Sequence, residues 1–158
     1  MINKKVEKLA KLLIQRNGVL ASAESCTGGW LAKSCTDLAG SSAWFDRGFV
    51  TYTNNAKNEM LGVDMALIDA HGAVSEETVG AMVDGVLEQS PADIAVAISG
   101  IAGPSGGSAT KPVGTVCFGW KMRGGDSLLK TVHFDGGREV VRAQAVEYAL
   151  DGLIELLK

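Results

Sequence analysis

The sequence around which this chain is organised reads Ala23-Glu24-Ser25-Cys26-Thr27-Gly28-Gly29-Trp30. A short apolar run precedes it at residues 19–23, and residues 28–38 follow with a helical pattern. A strand, a Gly-rich turn and a helix in this order place a serine hydroxyl beside helix N-terminal N–H groups, which lack partners within the helix. Such groups bind phosphate or stabilise the oxyanion of an acyl-transfer reaction. A plainer interpretation is that Ser25 or Thr27 only caps the helix and the glycines only form the turn.

The composition predicts one ordered domain spanning residues 1–158, because 46% of the residues are hydrophobic and 21% are charged. A net charge of −3 gives a nucleic-acid partner no electrostatic support. No apolar run reaches membrane-spanning length, and no signal-peptide core is present at the N-terminus. The three cysteines, Cys26, Cys35 and Cys117, are odd in number and lack metal-ligand spacing. We therefore expect a reduced, cytoplasmic protein that binds neither membrane nor metal.

Helical and strand patterns alternate along the chain. The patterns predict helices at residues 3–17, 28–38, 54–61 (with Asn54 as N-cap), 65–70, from 75 onward and 138–157, and strands at 19–23, 44–53, 92–99, 113–122 and 128–134. The nearly unbroken apolar run at 94–98 is typical of a strand buried on both faces. The fold class that follows is α/β, a three-layer α/β/α sandwich on a mostly parallel mixed sheet with an antiparallel hairpin addition.

Polar or Gly-rich segments follow three of the predicted strands, at residues 24–29, 51–57 and 99–104. In open α/β sheets, ligands bind beyond the carboxyl ends of the strands. We therefore predict that these three segments, including Ser99 and Gly100, form one shared pocket.

The nucleophile candidates in that pocket are Ser25 and Cys26. Serine needs a base to act as a nucleophile. Neither histidine of the chain, His71 or His133, has an evident acidic partner, so the sequence does not support a Ser-His-Asp triad.

Lys57 is the better candidate for the base, because it lies in the first turn of its predicted helix. The positive helix end disfavours an ammonium group there, and burial would lower the pKa of the amine further. A neutral amine can take the proton of a serine, and Tyr52 could orient that amine or share the proton. The alternative is that Lys57 is an ordinary exposed helix lysine.

Two further features indicate an anion or a sugar. The Gly/Ser-rich loop at residues 103–108 offers backbone N–H groups that could hold a polar ligand, although a plain surface loop has the same composition. Arg138 follows Gly136-Gly137 at the start of the last helix, where a cation opposes the helix dipole unless an anion lies between them.

Several motifs in register resemble the CinA C-terminal-domain family from about Leu9 to the C-terminus. They are Ala23-Glu24-Ser25-Cys26-Thr27-Gly28-Gly29, Gly48-Phe49-Val50-Thr51-Tyr52 with Asn54 and Lys57, His71-Gly72-Ala73-Val74-Ser75, Ser99-Gly100-Ile101-Ala102-Gly103-Pro104 and Lys111-Pro112-Val113-Gly114-Thr115-Val116. In its stand-alone form the family is similar to a bacterial amidase of pyridine-nucleotide recycling, which hydrolyses nicotinamide mononucleotide to nicotinic acid mononucleotide and ammonia. The resemblance implies a Ser-Lys hydrolase in which Ser25 is the nucleophile, Lys57 is the base and Tyr52 is the family tyrosine.

We accordingly expect a cofactor-free amidohydrolase whose partner is a small nucleotide, and the sequence is compatible with a homo-oligomer. In this hypothesis, N–H groups around Thr27, Gly28 and Gly29 hold the oxyanion. The residues expected to hold the phosphate and ribose are Arg138 and the loop that contains Gly103, Ser105 and Gly106. Two rivals remain, a cysteine amidase that uses Cys26 with His71 and a nucleotide-binding regulatory module without turnover.

Overall fold

One mixed five-stranded sheet forms the centre of the computed structural model, which describes all residues from Met1 to Lys158. Its strands are β1 (Leu20–Glu24), β2 (Phe45–Val50), β3 (Ile94–Gly100), β4 (Thr115–Met122) and β5 (Leu128–His133). The spatial order is β2-β1-β3-β4-β5, with β1 parallel to both of its neighbours. The hairpin of β4 and β5 adds to β3 in antiparallel fashion. Strand β1 is therefore flanked by parallel strands on both sides.

Six α-helices cover the two faces of the sheet. They are α1 (Ile2–Gln15), α2 (Trp30–Thr36), α3 (Asn54–Leu61), α4 (Met65–His71), α5 (Glu76–Glu88) and α6 (Arg138–Leu157), and a single 3₁₀ turn occupies Ser41–Ala43. Helices α1, α2 and α6 pack on one face, called here the α6 layer, and α3, α4 and α5 pack on the other, called the α3 layer. No helix is both long enough and apolar enough to cross a bilayer. The α/β/α prediction is confirmed.

The two faces of the central strand differ in side-chain size. Along β3, Ile94, Val96 and Ile98 point into the α6 layer, whereas Ala95 and Ala97 point into the α3 layer. Because successive side chains of a strand alternate between faces, one continuous apolar run contributes side chains to the cores of both layers. The same alternation along β1 sends Leu20 into the α6 layer and Ala21 and Ala23 into the α3 layer.

Most predicted element bounds differ from the structure by a few residues, and two differences lie next to the predicted pocket. Helix α3 begins at Asn54, but its N-cap is Thr53, whose extended backbone lets the hydroxyl accept the N–H of Ala56 at 3.0 Å. Helix α2 begins at Trp30 rather than Gly28, because Gly28 and Gly29 have φ of +59° and +101°, which an α-helix does not contain.

Candidate active site

Ser25 lies immediately after β1, at the carboxyl end of the sheet. Its N–H donates to the Ile98 carbonyl of β3 at 2.9 Å, so the residue is anchored to the centre of the sheet. Ala21 and Ala23 point into the α3 layer, and the alternation along the strand sends the Ser25 side chain to the same side. There its Oγ lies 3.0 Å from the Nζ of Lys57 on α3.

A tight turn follows the serine, and we call residues 25–29 the nucleophile turn. The Gly28 N–H donates to the Ser25 carbonyl at 3.1 Å, and the Trp30 N–H donates to the Thr27 carbonyl at 3.0 Å. The left-handed conformations of Gly28 and Gly29 make this reversal of direction possible without strain. The glycines therefore form the turn, as the plainer interpretation of the sequence holds, and the turn presents Ser25.

Glu24 stabilises the start of α2 from inside the protein. Its buried carboxylate accepts the Thr27 hydroxyl at 2.7 Å and the N–H groups of Leu31 and Ala32 at 2.9 and 3.1 Å. These helix N–H groups are thus already satisfied and are not free to bind an anion. This role of Glu24 was not predicted from the sequence, although a charged residue at the end of a buried strand requires such partners.

The free N–H groups of the nucleophile turn are those of Cys26, Thr27 and Gly29, which have no hydrogen-bond partner within the protein. The Gly28 N–H is engaged by the Ser25 carbonyl. Of the three predicted oxyanion donors, Thr27 and Gly29 are therefore available, and Gly28 is not. Cys26 is an additional donor that the sequence analysis missed, although the residue after a nucleophile commonly fills this role.

Lys57 is a buried amine, with 1% of its surface exposed. Its Nζ lies 3.2 Å from the Thr51 carbonyl oxygen and 3.4 Å from the Tyr52 carbonyl oxygen, in addition to the contact with Ser25. The alternative of an exposed helix lysine is wrong.

Burial lowers the pKa of the Lys57 amine, because removal from water disfavours the ammonium form. The nearby Cys26 acts in the opposite direction, as the smaller effect. No carboxylate forms a salt bridge with the amine. Burial thus favours the neutral amine, the form that a general base requires, at a position in contact with the Ser25 hydroxyl.

Tyr52 contacts the Ser-Lys pair through its backbone. Its carbonyl oxygen accepts from Lys57 Nζ and lies 3.3 Å from Ser25 Oγ. The phenol makes no hydrogen bond with the Lys57 amine and instead accepts from Arg138 at 3.2 Å, so the structure gives no support to proton sharing through the ring. The peptide group of residue 52, rather than its ring, orients the amine.

The three predicted strand ends meet at one edge of the sheet. The Thr51 N–H donates to the Glu24 carbonyl at 2.9 Å, which joins the first two segments. At Gly100, a Cβ would lie 3.1 Å from Cys26 Sγ, so the third segment packs closely on the nucleophile turn. Ser99 is buried in the same region.

Arg138 links the Gly-rich loop to the site. Its guanidinium donates to the Gly103 carbonyl at 2.9 Å and to the Tyr52 hydroxyl at 3.2 Å. Ser105 and Gly106 lie farther out, in the exposed part of the loop, and make no hydrogen bond to Ser25 or Lys57. The structure therefore brings Gly103 and Arg138 to the site and leaves Ser105 and Gly106 at its margin.

Arg142 is a residue of the site that the sequence analysis missed. Its Nε and Nη2 donate to the carbonyls of Cys26 and Thr27 at 2.9 and 3.3 Å. The guanidinium also lies over the Trp30 ring, 5.7 Å from the ring centre. One signal was available, since Arg142 follows Arg138 by four positions and such residues share a helix face.

The alternative pair of Cys26 and His71 is not assembled. The Cys26 side chain packs in the α6 layer, on the side opposite to Lys57, and burial raises the pKa of its thiol to about 11. The His71 ring lies 3.4 Å from Glu77, and its carbonyl accepts from Lys111. A neutral, buried thiol without an imidazole partner is a poor nucleophile.

We expect Cys26→Ala to keep most of the amidase activity that the family resemblance implies, because the thiol faces away from the Ser-Lys pair. We also expect iodoacetamide to leave the wild-type rate unchanged. Initial rates of ammonia release measure both effects, with circular dichroism to confirm folding. A folded Cys26→Ala protein that has lost its activity would indicate that Cys26, rather than Ser25, is the nucleophile.

A serine hydroxyl and a buried lysine amine at the end of a central strand, next to free backbone N–H groups, are typical of hydrolases that use a Ser-Lys pair. The model of the CinA C-terminal domain matches residues 2–157. The chain belongs to the CinA C-terminal domain family, which confirms the resemblance seen in the sequence.

Named relatives and solved structures agree with this assignment. The nicotinamide-nucleotide amidohydrolase PncC of Escherichia coli (strain K12) is 52% identical over 147 residues, which cover 93% of this chain and 89% of the relative. The protein of the same name from Enterobacter agglomerans is 57% identical, over 86% of this chain and 84% of its own. The crystal structure of the competence/damage inducible protein CihA from Agrobacterium tumefaciens superposes with a TM-score of 0.96 at 45% identity, covering 99% of this chain and 96% of that one.

Proposed function

We propose that this chain is an amidohydrolase that converts nicotinamide mononucleotide to nicotinic acid mononucleotide and ammonia, with Ser25 as nucleophile and Lys57 as base. The names of relatives at 52% and 57% identity support the substrate. The observation that carries the mechanism is the 3.0 Å distance between Ser25 Oγ and the buried Nζ of Lys57. We propose that this reaction takes part in the recycling of pyridine nucleotides.

In the first half of the reaction, the neutral Lys57 amine takes the Ser25 proton as Oγ attacks the carboxamide carbon. The carbonyl oxygen becomes an oxyanion, for which the free N–H groups of the nucleophile turn are the proposed donors. The Lys57 ammonium then protonates the departing nitrogen. The C–N bond breaks, ammonia leaves, and the nicotinoyl group remains as an ester on Oγ.

In the second half, Lys57 takes a proton from water, and the resulting hydroxide attacks the ester carbon. Collapse of the second oxyanion breaks the bond to Oγ, which recovers its proton from Lys57. The Thr51 and Tyr52 carbonyls accept the N–H groups of the amine. They hold its lone pair toward Oγ in the neutral state and stabilise the transient ammonium.

A coupled assay of ammonia release from nicotinamide mononucleotide tests this function. The proposal predicts one ammonia for each nicotinic acid mononucleotide formed. The rival, a nucleotide-binding regulatory module, predicts that the nucleotide raises the melting temperature without any ammonia. The two outcomes are distinguished in one set of samples.

We further propose that Arg138 binds the substrate phosphate, because its guanidinium lies between Tyr52 and the Gly103 loop and has N–H groups left over. A charge-assisted hydrogen bond contributes roughly 1.5–3 kcal/mol. We therefore expect Arg138→Ala to lower kcat/KM for the nucleotide by about ten-fold or more. Nicotinamide riboside, which lacks the phosphate, should be a poor substrate that the substitution affects little. An equal loss of kcat/KM on both substrates would mean that Arg138 only holds Tyr52 and the Gly103 loop in position.

A further inference from the structure

The two peptide groups that follow Ser25 present unpaired N–H groups, and the first is held from within the turn whereas the second is held from outside it. The first, between Ser25 and Cys26, is held by its carbonyl, which accepts the Gly28 N–H at 3.1 Å. The second, between Cys26 and Thr27, is held by its carbonyl, which accepts Arg142 Nε at 2.9 Å. The turn itself supplies no partner for the Cys26 carbonyl.

The layers of the fold show where the second N–H points. Arg142 comes from α6, on the face of the sheet opposite to α3, which carries Lys57. In a planar trans peptide the C=O and N–H bonds point in opposite directions. Because the Cys26 carbonyl points toward Arg142, the Thr27 N–H points toward the side on which Ser25 Oγ and Lys57 Nζ lie.

Arg142 is itself held in place. Its guanidinium lies over the Trp30 ring, donates a second hydrogen bond to the Thr27 carbonyl and forms no salt bridge. Gly28 leaves room for it, since a Cβ there would lie 3.3 Å from Nη2. Because the Arg142 guanidinium contacts only backbone carbonyls and an aromatic ring, its contacts fix the position of the backbone.

We infer that Arg142 is a positioning residue that keeps the Thr27 N–H turned toward Ser25, so that this N–H serves as an oxyanion donor. The inference rests on the proposed function of the Ser25 site. Without the guanidinium, the Cys26–Thr27 peptide is free to rotate. The Cys26 carbonyl then enters the space of the oxyanion and repels it.

The test compares Arg142→Met with Arg123→Met, a matched control. Arg123 likewise donates to backbone carbonyls, those of Leu87, Ser90 and Ala92, but at the opposite end of the sheet. Loss of one oxyanion donor typically lowers kcat by about 10²–10³-fold. We expect that loss for Arg142→Met with KM for nicotinamide mononucleotide unchanged, partial recovery of kcat in Arg142→Lys, and wild-type kcat in Arg123→Met.

Labelling of Ser25 by a fluorophosphonate separates this inference from the choice of substrate. In that reaction Oγ bonds to phosphorus, fluoride leaves and Lys57 takes the proton, so the oxyanion donors are needed but no nucleotide is. We expect slow labelling in Arg142→Met and normal labelling in Arg123→Met. If the wild type is labelled but does not hydrolyse the nucleotide, the substrate is wrong and the labelling rates still decide the role of Arg142.

Two results would overturn the inference. One is a raised KM with unchanged kcat and unchanged labelling, which would assign Arg142 to substrate binding in the neighbouring depression that it lines with Lys33. The other is a folded Arg142→Met protein with wild-type kinetics. If Arg142→Met does not fold, the same comparison is made with Arg142→Lys, whose single ammonium cannot hold both carbonyls as the planar guanidinium does.

Discussion

Ser25→Ala is expected to lower the rate of nicotinamide mononucleotide hydrolysis by about a million-fold, the loss typical of removing a nucleophile from a catalytic unit that acts together. The side chain is small, and its hydroxyl contacts only Lys57 Nζ and the Tyr52 carbonyl. The fold and nucleotide binding should therefore persist. Rapid-quench turnover measures the rate, and isothermal calorimetry measures the binding.

A suitable control is Ser90→Ala, which removes a hydroxyl bonded to the Val86 carbonyl before β3, at the opposite end of the sheet. It should retain full activity. A Ser25→Ala protein that keeps more than a few per cent of the wild-type rate would show that another group attacks the substrate.

Lys57→Met is expected to lower kcat by about 10²–10⁴-fold, the usual contribution of a positioned general base. Methionine keeps the length and the apolar stem of lysine but has no amine to accept the Ser25 proton. Lys57→Arg should be equally inactive, because the guanidinium remains protonated at any working pH. Steady-state kinetics on folded variants measure both losses, and near-normal rates in Lys57→Arg would eliminate the base role.

The pH dependence provides an independent check on Lys57. Only the neutral amine accepts a proton, so kcat/KM should rise with pH and level off once the amine has lost its proton. Because burial lowers the pKa of Lys57, the midpoint of this rise should fall below 10.5, the ordinary pKa of a lysine. The rising limb should be absent from the residual activity of Lys57→Met. A wild-type profile that is flat or falls over this range would contradict the assignment.

The position of the Ser-Lys pair was predictable because it depends on local patterns. Ser25 directly follows the buried strand β1, and Lys57 lies in the first turn of α3, the helix that follows β2. Parallel neighbouring strands bring their carboxyl ends together, so β1 and β2 carry both residues to the same edge.

The residues that hold the pair were harder to predict. Arg142 acts on Cys26, 116 positions away in the sequence, and a local pattern does not reveal that contact. Tyr52 was predicted to orient the amine or share the proton, and the structure shows a contact with the amine through the backbone carbonyl, an atom that the residue type does not reveal. Glu24 was missed because its partners are backbone N–H groups of α2, which only the geometry of the turn brings to it.

The most direct test of the proposed Ser-Lys mechanism is the yield of ammonia and nicotinic acid mononucleotide from nicotinamide mononucleotide, measured side by side for wild type, Ser25→Ala and Cys26→Ala. The account predicts equimolar products from wild type and from Cys26→Ala, and none above background from Ser25→Ala. Equal yields from wild type and Ser25→Ala, or no ammonia from a folded wild-type protein, would contradict it.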